Sequence, residues 1–314
     1  MKIALLGTGF GRAHAADFAD RSDVDEVVVF GRTPEKLAEL RDQFGFATST
    51  DLDAVIADAS VDLVDICLPT RLHAEVAVRA MEAGRDVLIE LPLATTLDDA
   101  HRIVDVQHAT GRRAFVDMFS RFSSANLQLE QAVSDQRYGP VQSLEIEGRT
   151  ALLWPGYDLS LDTLALDMMH ADFDLITRLL GRPDTIHVVG TASPTGRGSA
   201  AAVLLGYPDA FVRCTSSALM PQPYGMRGGW RATFTDGVLE YAMRADFTGQ
   251  GPSTLIEYTT TGDRAIDLPA TSPYEAMIQH VLSCLAGDAD NLIEPTSALP
   301  ALELTLNIHQ RLNN

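Results

Sequence analysis

The sequence is short of lysine, of cysteine and of long apolar runs. Only two of its 24 basic residues are lysines, Lys2 and Lys36, so a mechanism that needs an active-site lysine must use one of them. Its three cysteines, Cys67, Cys214 and Cys284, form no C-x-x-C pair. This argues against a disulfide framework and against a cysteine-ligated metal site, and we expect no metal. No apolar run approaches the roughly 18 residues that a membrane-spanning helix needs.

Basic charge is also scarce. The chain has 43 acidic and 24 basic residues, a net charge of −19. Nucleic acids and anionic membrane surfaces are bound by basic patches, so we expect neither as a partner and predict a small-molecule substrate instead. The first predicted strand begins at Lys2, which leaves no room for a signal peptide, and the expected location is the cytoplasm.

Short apolar strands alternate with helical segments over the first 120 residues, which predicts an α/β fold with a doubly wound parallel sheet, a Rossmann domain. From 185 to 268 the pattern changes to strands of period two separated by turns. This predicts a C-terminal α+β domain with a large, mainly antiparallel sheet. The predicted domains are residues 1–120 and 121–314, and the last helix is a candidate for packing back on the first domain.

Three glycines lie between the first predicted strand and the first helix: Gly7, Gly9 and Gly11, with Phe10 before the last. Residues without a Cβ allow the backbone to turn tightly and to approach a pyrophosphate, which the helix N-terminus then binds. The motif is one residue shorter than G-x-G-x-x-G, because the expected third glycine is Arg12. The strand before it and the helix after it predict a dinucleotide site.

The end of the second strand indicates which dinucleotide binds. An NAD enzyme usually places an acidic residue there to accept hydrogen bonds from the ribose 2′-hydroxyl. This chain has Arg32 and Thr33 instead, with Lys36 one turn later. A guanidinium and a hydroxyl bind a 2′-phosphate, which a carboxylate would repel. We therefore predict NADP(H) in preference to NAD(H).

Two segments lie at the centre of a family resemblance: one runs from Val61 through Pro69 to His73, and the other from Ala80 to Glu90. Both resemble the glucose–fructose oxidoreductase / inositol dehydrogenase (Gfo/Idh/MocA) family. The resemblance extends over nearly the whole chain. It implies a hydride-transferring oxidoreductase in which Glu90 contacts the nicotinamide ribose. It also implies a homo-oligomer formed through the C-terminal sheet. The residues that this resemblance places around the dinucleotide are Leu68, Pro69, Thr70, His73, Glu90, Leu91 and Pro92.

Two catalytic positions depart from the family's pattern. The family's Glu-Lys-Pro is Glu90-Leu91-Pro92 here, so the lysine that touches the reacting oxygen is replaced by leucine. The family also carries an aspartate followed four residues later by a histidine. Here Asp167 is followed at that distance by Ala171, and the histidine stands one residue earlier, at 170.

His170 is nevertheless a candidate general acid. Asp167 and Asp174 lie three residues before it and four after it, so all three side chains meet on one face of a regular helix. Two carboxylates should make His170 hold its proton more firmly. The alternative is a structural histidine in an ion-pair network. Tyr157 is a second candidate acid, and Arg121 is expected to help orient the substrate.

These features predict an NADP(H)-dependent oxidoreductase that transfers hydride between nicotinamide and a small polar substrate such as a sugar or a cyclitol. Because the family lysine is absent, reduction of an imine or a conjugated system is an alternative, as in the biliverdin and thiazoline imine reductases that the sequence resembles in this respect. A third possibility is a dinucleotide-binding sensor without turnover.

Overall fold

The computed structural model describes residues 1–152, 158–245 and 251–314. The chain forms two compact units. The first unit contains Met1–Phe119 and Ser272–Leu299, and the second contains Ser120–Thr271 and Pro300–Asn314. The predicted boundary after residue 120 is close to this division. However, Ser272–Leu299, which the sequence pattern placed in the second domain, is part of the first unit.

The first unit is built on a parallel sheet with the strand order β3-β2-β1-β4-β5-β6. Its strands are β1 (Lys2–Leu6), β2 (Glu26–Phe30), β3 (Ala47–Ser49), β4 (Leu63–Ile66), β5 (Asp86–Ile89) and β6 (Ala114–Val116). The sequence analysis missed β3, because three residues without an apolar run give no strand pattern. The strand order reverses between β1 and β4, and ligands of such sheets bind at the carboxyl ends of the strands at this point.

Five helices connect these strands: α1 (Gly11–Ala19), α2 (Pro34–Phe44), α3 (Leu52–Ala57), α4 (His73–Glu82) and α5 (Leu97–Thr110). In α2, Pro34 occupies the first turn and Gly45 ends the helix in the left-handed conformation, with φ of 75°. The central strands β4 and β5 are buried throughout. This explains their continuous apolar sequence, since a parallel sheet covered on both faces has no solvent side.

The second unit contains an eight-stranded sheet in the order β14-β13-β12-β11-β7-β10-β9-β8. Its strands are β7 (Val141–Ala151), β8 (Thr185–Ala192), β9 (Ser199–Gly206), β10 (Phe211–Met220), β11 (Met226–Phe234), β12 (Gly237–Ala245), β13 (Ser253–Thr259) and β14 (Gly262–Ile266). Strands β7 and β10 pair in parallel, and the other neighbours pair antiparallel. The predicted fold class, a Rossmann sheet plus a mainly antiparallel sheet, is confirmed.

The remaining helices are α6 (Ser124–Ser134), α7 (Leu161–Leu164), α8 (His170–Leu180), α9 (Pro273–Ala286) and α10 (Pro295–Leu312). The sequence pattern predicts one helix from 162 to 180. The structure instead has a π-helical turn, Ala165–Met169, between α7 and α8. A π turn contains one residue more than an α turn, so it shifts the angular position of the residues on either side.

A search of the described residues finds no helix with the length and apolar character needed to cross a membrane.

Phe173 of α8 provides a test of the second unit's core. It is 0% exposed in the hydrophobic cluster formed by the sheet and its helices. We expect Phe173→Ala to lower the free energy of unfolding by about 3–5 kcal/mol, because the lost ring leaves a cavity. Leu127→Ala, at a position of α6 that is 47% exposed, is the control and should cost less than about 1 kcal/mol. Urea denaturation measures both, and equal losses would contradict this packing.

Candidate active site

The glycine loop connects β1 to α1 at the carboxyl edge of the parallel sheet. Gly7 has φ of +125°, and a Cβ there would lie 2.3 Å from the carbonyl oxygen of Cys67. A Cβ on Gly11 would lie 3.2 Å from the Cβ of Cys67, so α1 packs closely against the end of β4. Gly9 differs, because none of the described residues has an atom within 4 Å of the Cβ it would carry. Gly7 and Gly11 therefore shape the loop, and Gly9 leaves space in front of it.

This loop fits the pyrophosphate of a dinucleotide. It lies at the point where the strand order reverses, and the amide of Cys67 donates to the carbonyl oxygen of Leu6 at 2.9 Å. The first turn of α1 contains no acidic residue, and the side chain of its N-cap, Phe10, makes no capping hydrogen bond. The positive end of the helix dipole is thus available to an anion.

The polar side chains predicted to select the dinucleotide lie exposed after β2. Arg32, Thr33 and Lys36 are all at the surface. Arg32 forms no ion pair with any residue that the structure describes. Thr33 is the N-cap of α2, but its hydroxyl makes no capping hydrogen bond. The guanidinium and the hydroxyl are therefore free to bind a ligand phosphate.

His73, which the resemblance places beside the dinucleotide, is a buried residue at the start of α4. Its ring is 1% exposed. Nε2 lies 2.7 Å from the carbonyl oxygen of Leu68 and Nδ1 lies 3.0 Å from that of Pro92. Burial lowers the pKa of His73. The imidazole thus connects the segments that follow β4 and β5, where Pro69, Thr70 and Leu91 lie at least partly exposed.

A buried cluster of ionisable side chains lies at the same edge of the sheet. His14 of α1 has its Nδ1 at 2.7 Å from Asp65 Oδ2 and its Nε2 at 3.0 Å from Asp117 Oδ2. Glu90 Oε1 lies 3.5 Å from the same Nε2. Cys67 Sγ lies 3.5 Å from His14 Nδ1 and from Asp65 Oδ1. We call these five residues the His14 cluster.

The protonation of the His14 cluster follows from its contacts. Burial by itself would lower the pKa of His14, but Asp65 and Asp117 outweigh it, and the pKa is raised well above its ordinary value. Burial, reinforced by the charge of Asp117, raises the pKa of Glu90 to about 8. Burial and Asp65 likewise raise the pKa of the Cys67 thiol. At neutral pH His14 is therefore a cation, and Glu90 and Cys67 are neutral.

The cluster also meets a distance criterion for a metal site, because ligand atoms of His14, Cys67 and Glu90 lie within 4.8 Å of one another. Both ring nitrogens of His14 are, however, already hydrogen-bonded to carboxylates. A metal ion could bind the imidazole only by displacing Asp65 or Asp117. In the structure these hydrogen bonds occupy both nitrogen atoms that a metal ion would need.

The sequence analysis assigned no role to His14, Asp65 or Asp117. A usable signal was present in the apolar run of β4, where Asp65 stands between Val64 and Ile66. A strand covered on both faces cannot turn an aspartate towards solvent, so this carboxylate must have a buried partner. The partner itself could not be read from the sequence, because it comes from a helix 51 residues away.

The predicted acid, His170, is a neutral buried histidine. Its Nδ1 lies 2.7 Å from Thr305 Oγ1, and the Thr305 hydroxyl donates to the carbonyl oxygen of Ala301. Since that hydroxyl proton is already used, Nδ1 carries the imidazole hydrogen and Nε2 is an acceptor. Burial lowers the pKa of His170 to about 4. The expectation that two carboxylates make it hold its proton more firmly is therefore wrong.

The two carboxylates are engaged elsewhere. Asp174 accepts two hydrogen bonds from Arg121, at 2.9 and 2.8 Å, in a buried ion pair. Asp167 lies in the π turn beside Thr163; its side chain reaches the surface, and the surrounding protein atoms still desolvate its carboxyl group enough to raise its pKa to about 6. The shared helical face predicted for Asp167, His170 and Asp174 required a regular helix, and the π turn breaks that regularity. Tyr157, the second candidate acid, lies outside the described residues.

Asp172 is a further carboxyl group that the sequence analysis did not single out. Burial raises its pKa to about 7, and the Sγ of Cys214 lies 3.8 Å from its Oδ2. It follows Ala171, the position that corresponds to the family's histidine. Asp167 and Asp172, both in the described part of the second unit, thus have pKa values raised towards neutral pH.

The protonation state of His170 predicts a pH dependence of stability. The unfolded chain binds its proton near the ordinary histidine pKa of about 6.5, whereas the folded protein does so only near 4. As pH falls from 7 to 5, the unfolded state takes up this proton and the folded state does not, so the free energy of unfolding of the wild type should fall. We expect this fall to be about 2 kcal/mol larger in the wild type than in His170→Asn, which has no imidazole at this position. Urea denaturation at both pH values measures this difference. His101→Asn, at an exposed position of α5, should keep the wild-type dependence, and an unchanged dependence in His170→Asn would contradict a neutral His170.

Comparison with known proteins agrees with this geometry. Residues 1–118 match the Gfo/Idh/MocA family, described as an oxidoreductase family with an NAD-binding Rossmann fold. The chain is 34% identical over 135 residues to 4-carboxy-2-hydroxymuconate-6-semialdehyde dehydrogenase of Sphingobium sp., covering 42% of this chain and 43% of that one. It is 28% identical over 195 residues to inositol 2-dehydrogenase of Rhizobium meliloti, covering 62% and 58%. The matched part thus spans about half the length of these curated relatives.

A solved structure extends the similarity to the second unit. UDP-N-acetylglucosamine 3-dehydrogenase of Acidithiobacillus ferrooxidans superposes with a TM-score of 0.80 at 25% identity, over 99% of this chain and 97% of that one. The resemblance inferred from the sequence motifs is confirmed for the first unit, in which residues 1–118 match the Gfo/Idh/MocA family of oxidoreductases.

Proposed function

We propose that the protein is an NAD(P)-dependent oxidoreductase that transfers hydride between the nicotinamide ring and a carbon atom of a small polar substrate such as a sugar or a cyclitol. The observation that carries this proposal is the glycine loop at the point where the strand order reverses, with open space at Gly9. When bound, the dinucleotide would supply or accept the hydride. The names of two relatives, which specify inositol and UDP-N-acetylglucosamine, support the substrate class.

We further propose that NADP(H) is preferred to NAD(H). Arg32 and Thr33 are exposed directly after β2, and neither the guanidinium nor the hydroxyl is used by the described part of the chain. A guanidinium can form a bidentate pair with a phosphate, and the exposed ammonium of Lys36 adds charge one turn later. A 2′-phosphate is the group of NADP(H) that this arrangement suits.

The other site residues support the loops and helices that carry the chemistry. His73 holds the segments after β4 and β5 through two backbone carbonyls. Arg121 and Asp174 fix α8 through a buried ion pair, and His170 is bonded within the same unit to Thr305. We assign these four residues to positioning, because each is buried and hydrogen-bonded to the protein, although Nε2 of His170 has no hydrogen-bond partner among the described residues.

We also propose that copies of the chain associate through the C-terminal sheet. Apolar side chains on neighbouring strands β8 to β10 are exposed, with Val189 at 69%, Leu204 at 45% and Phe211 at 46%. Exposed apolar groups clustered on one sheet are typical of protein interfaces. Sedimentation equilibrium measures the association directly.

Turnover decides between the proposed enzyme and the two alternatives. Purified protein is titrated with NADPH and NADH and then assayed with sugars, cyclitols and cyclic imines. Oxidation or reduction of a sugar or cyclitol supports the proposal, and turnover of imines alone supports the imine reductase. Tight NADPH binding without turnover of any of them would favour a sensor.

The open space at Gly9 predicts a variant that loses dinucleotide binding and keeps its fold. We expect Gly9→Val to weaken NADPH binding at least about 10-fold, a loss of about 1.4 kcal/mol, because its side chain fills the space in front of α1. Its melting temperature should stay within about 2 °C of the wild type, since surface changes cost little. Ala19→Val, exposed at the other end of α1, should change neither quantity. Unchanged NADPH binding in Gly9→Val would contradict the placement of the pyrophosphate.

The exposed position of Arg32 predicts that this residue determines the selectivity for NADPH over NADH. We expect Arg32→Ser to weaken NADPH binding about 10- to 100-fold, the value of one or two charge-assisted hydrogen bonds. NADH binding should not change, because NADH has no 2′-phosphate. Fluorescence titration with both dinucleotides measures the effect, and Arg41→Ser, at an exposed position later in α2, is the control. An equal loss for both dinucleotides, or a wild type that prefers NADH, would overturn the NADP(H) proposal.

A further inference from the structure

Hydride transfer to a carbonyl also needs a proton, and the usual family donor is absent. Leu91 occupies the lysine position and has no ionisable group. The two lysines of the chain cannot replace it. Lys2 Nζ lies at the start of β1, 3.0 Å from Glu26 and 3.0 Å from Asp58, at the opposite edge of the sheet from the glycine loop. Lys36 is exposed on α2.

Glu90 lies immediately before this position, at the edge of the sheet where the glycine loop lies. Its amide donates to the carbonyl oxygen of Ile66, which anchors it beside the end of β4. Its Oε2 accepts a hydrogen bond from the amide of Leu91 at 2.9 Å. Its Oε1 points to His14 Nε2, at 3.5 Å. The carboxyl group is therefore held by the protein and has a fixed orientation.

The hydrogen bonds of the His14 cluster leave two buried carboxyl oxygen atoms without a partner, which points to one additional proton. His14 donates one N–H to Asp65 and the other to Asp117. Glu90 Oε1 and Asp117 Oδ1 are both buried and have no hydrogen-bond partner among the described residues. Two carboxylates that face one imidazole nitrogen cannot both stay charged in a buried site without a further proton. A protonated Glu90 resolves this, and its raised pKa agrees.

Glu90 is also the most exposed acidic residue of the His14 cluster. The side chains of His14, Asp65 and Asp117 are 0% exposed, whereas that of Glu90 is 12% exposed. The remaining member, Cys67, is a buried thiol with a raised pKa and does not exchange protons at neutral pH. Glu90 is thus the most exposed ionisable member of the cluster, and we take it as the group through which the cluster exchanges a proton.

We propose that Glu90 gives up and takes back the substrate proton in place of the missing lysine, and that His14, Asp65 and Asp117 are the positioning residues that keep it protonated and oriented. This inference rests on the proposed function. In the reducing direction the substrate carbon receives the hydride with its electron pair, and the C=O π pair moves to the oxygen. That oxygen takes the proton of Glu90, directly or through one water molecule, leaving a carboxylate beside the His14 cation. In the oxidising direction the carboxylate accepts the alcohol proton.

The pH at which Glu90 loses its proton depends on the charged groups around the His14 cluster. Asp65 comes from β4, Asp117 from the segment after β6, and His14 from α1. Asp17, one turn later in α1, has a pKa raised by burial and, to a lesser extent, by Glu275 of α9. Of the charges acting on Glu90, that of Asp117 raises its pKa and that of His14 lowers it. Removing the charge of Asp117 should therefore let Glu90 lose its proton at lower pH.

Infrared difference spectroscopy detects the proton without any substrate. Spectra of the whole protein are compared at about pH 6 and about pH 10, on either side of the Glu90 pKa of about 8. We expect one carboxylic-acid C=O band that disappears near that pH and is missing from Glu90→Gln, whereas the bands of Asp167 and Asp172, which titrate near pH 6 and 7, stay in the variant. Glu82→Gln, an exposed position at the end of α4, should keep the band. A wild type without such a band, or a Glu90→Gln variant that retains it, overturns the proposal.

Kinetics then test the role of that proton. We expect Glu90→Gln to lower kcat about 100-fold or more, the usual contribution of a positioned acid. Its Kd for NADPH should rise by less than about 10-fold, less than about 1.4 kcal/mol, because glutamine keeps an oxygen that can accept a hydrogen bond from the ribose. Asp117→Asn should move both the infrared transition and the basic limb of the kcat profile to lower pH. A Glu90→Gln variant with wild-type kcat, or an Asp117→Asn variant with an unmoved transition, overturns the assignment.

The two measurements separate this inference from the proposed function. If the wild type turns over no substrate, the enzyme proposal fails, and the infrared band still shows whether Glu90 holds the proton. If the wild type is active and Glu90→Gln is equally active, the enzyme proposal stands and the role of Glu90 is refuted.

Discussion

The fully buried imidazole of His14 holds several elements of the first unit in place. Through Asp65 and Asp117 it connects α1 to β4 and to the segment after β6, and it lies beside Glu90 at the end of β5. A buried cation must be paired, so these elements cannot separate without exposing an unpaired charge to an apolar interior. Because α1 begins at the glycine loop, the same contacts fix the loop that is proposed to bind the dinucleotide.

A comparison of His14 and His170, two of the buried histidines, shows how the protein sets the charge of an imidazole. His14 has a carboxylate on each ring nitrogen, and these outweigh burial and raise its pKa. His170 has a threonine hydroxyl on one nitrogen, while the nearby Asp174 is already neutralised by Arg121. Burial then dominates and lowers its pKa to about 4. The immediate hydrogen-bond partners, not the number of acidic residues nearby in the sequence, decide which histidine is charged.

The substitution of leucine for the family lysine changes which groups can carry a proton. Such a lysine is a cation with its own proton, whereas Leu91 contributes only apolar surface next to Glu90. Removing a neighbouring cation and placing Asp117 close by both favour a neutral carboxyl group at Glu90. The His14 cluster and the missing lysine can thus be understood together, as one change in the electrostatics of the sheet edge.

The sequence by itself determined the fold class, the glycine loop and the family, because these depend on local apolar periodicity and on motifs within short segments. It also identified Arg32 and Thr33, since their position after β2 follows from the strand–helix order. Only the tertiary structure revealed the His14 cluster, whose members come from α1, β4, β5 and the end of β6. Likewise, the π turn that separates Asp167 from His170 has no sequence signature. Contacts between distant segments and a one-residue change of helical phase are set by packing, which local patterns do not encode.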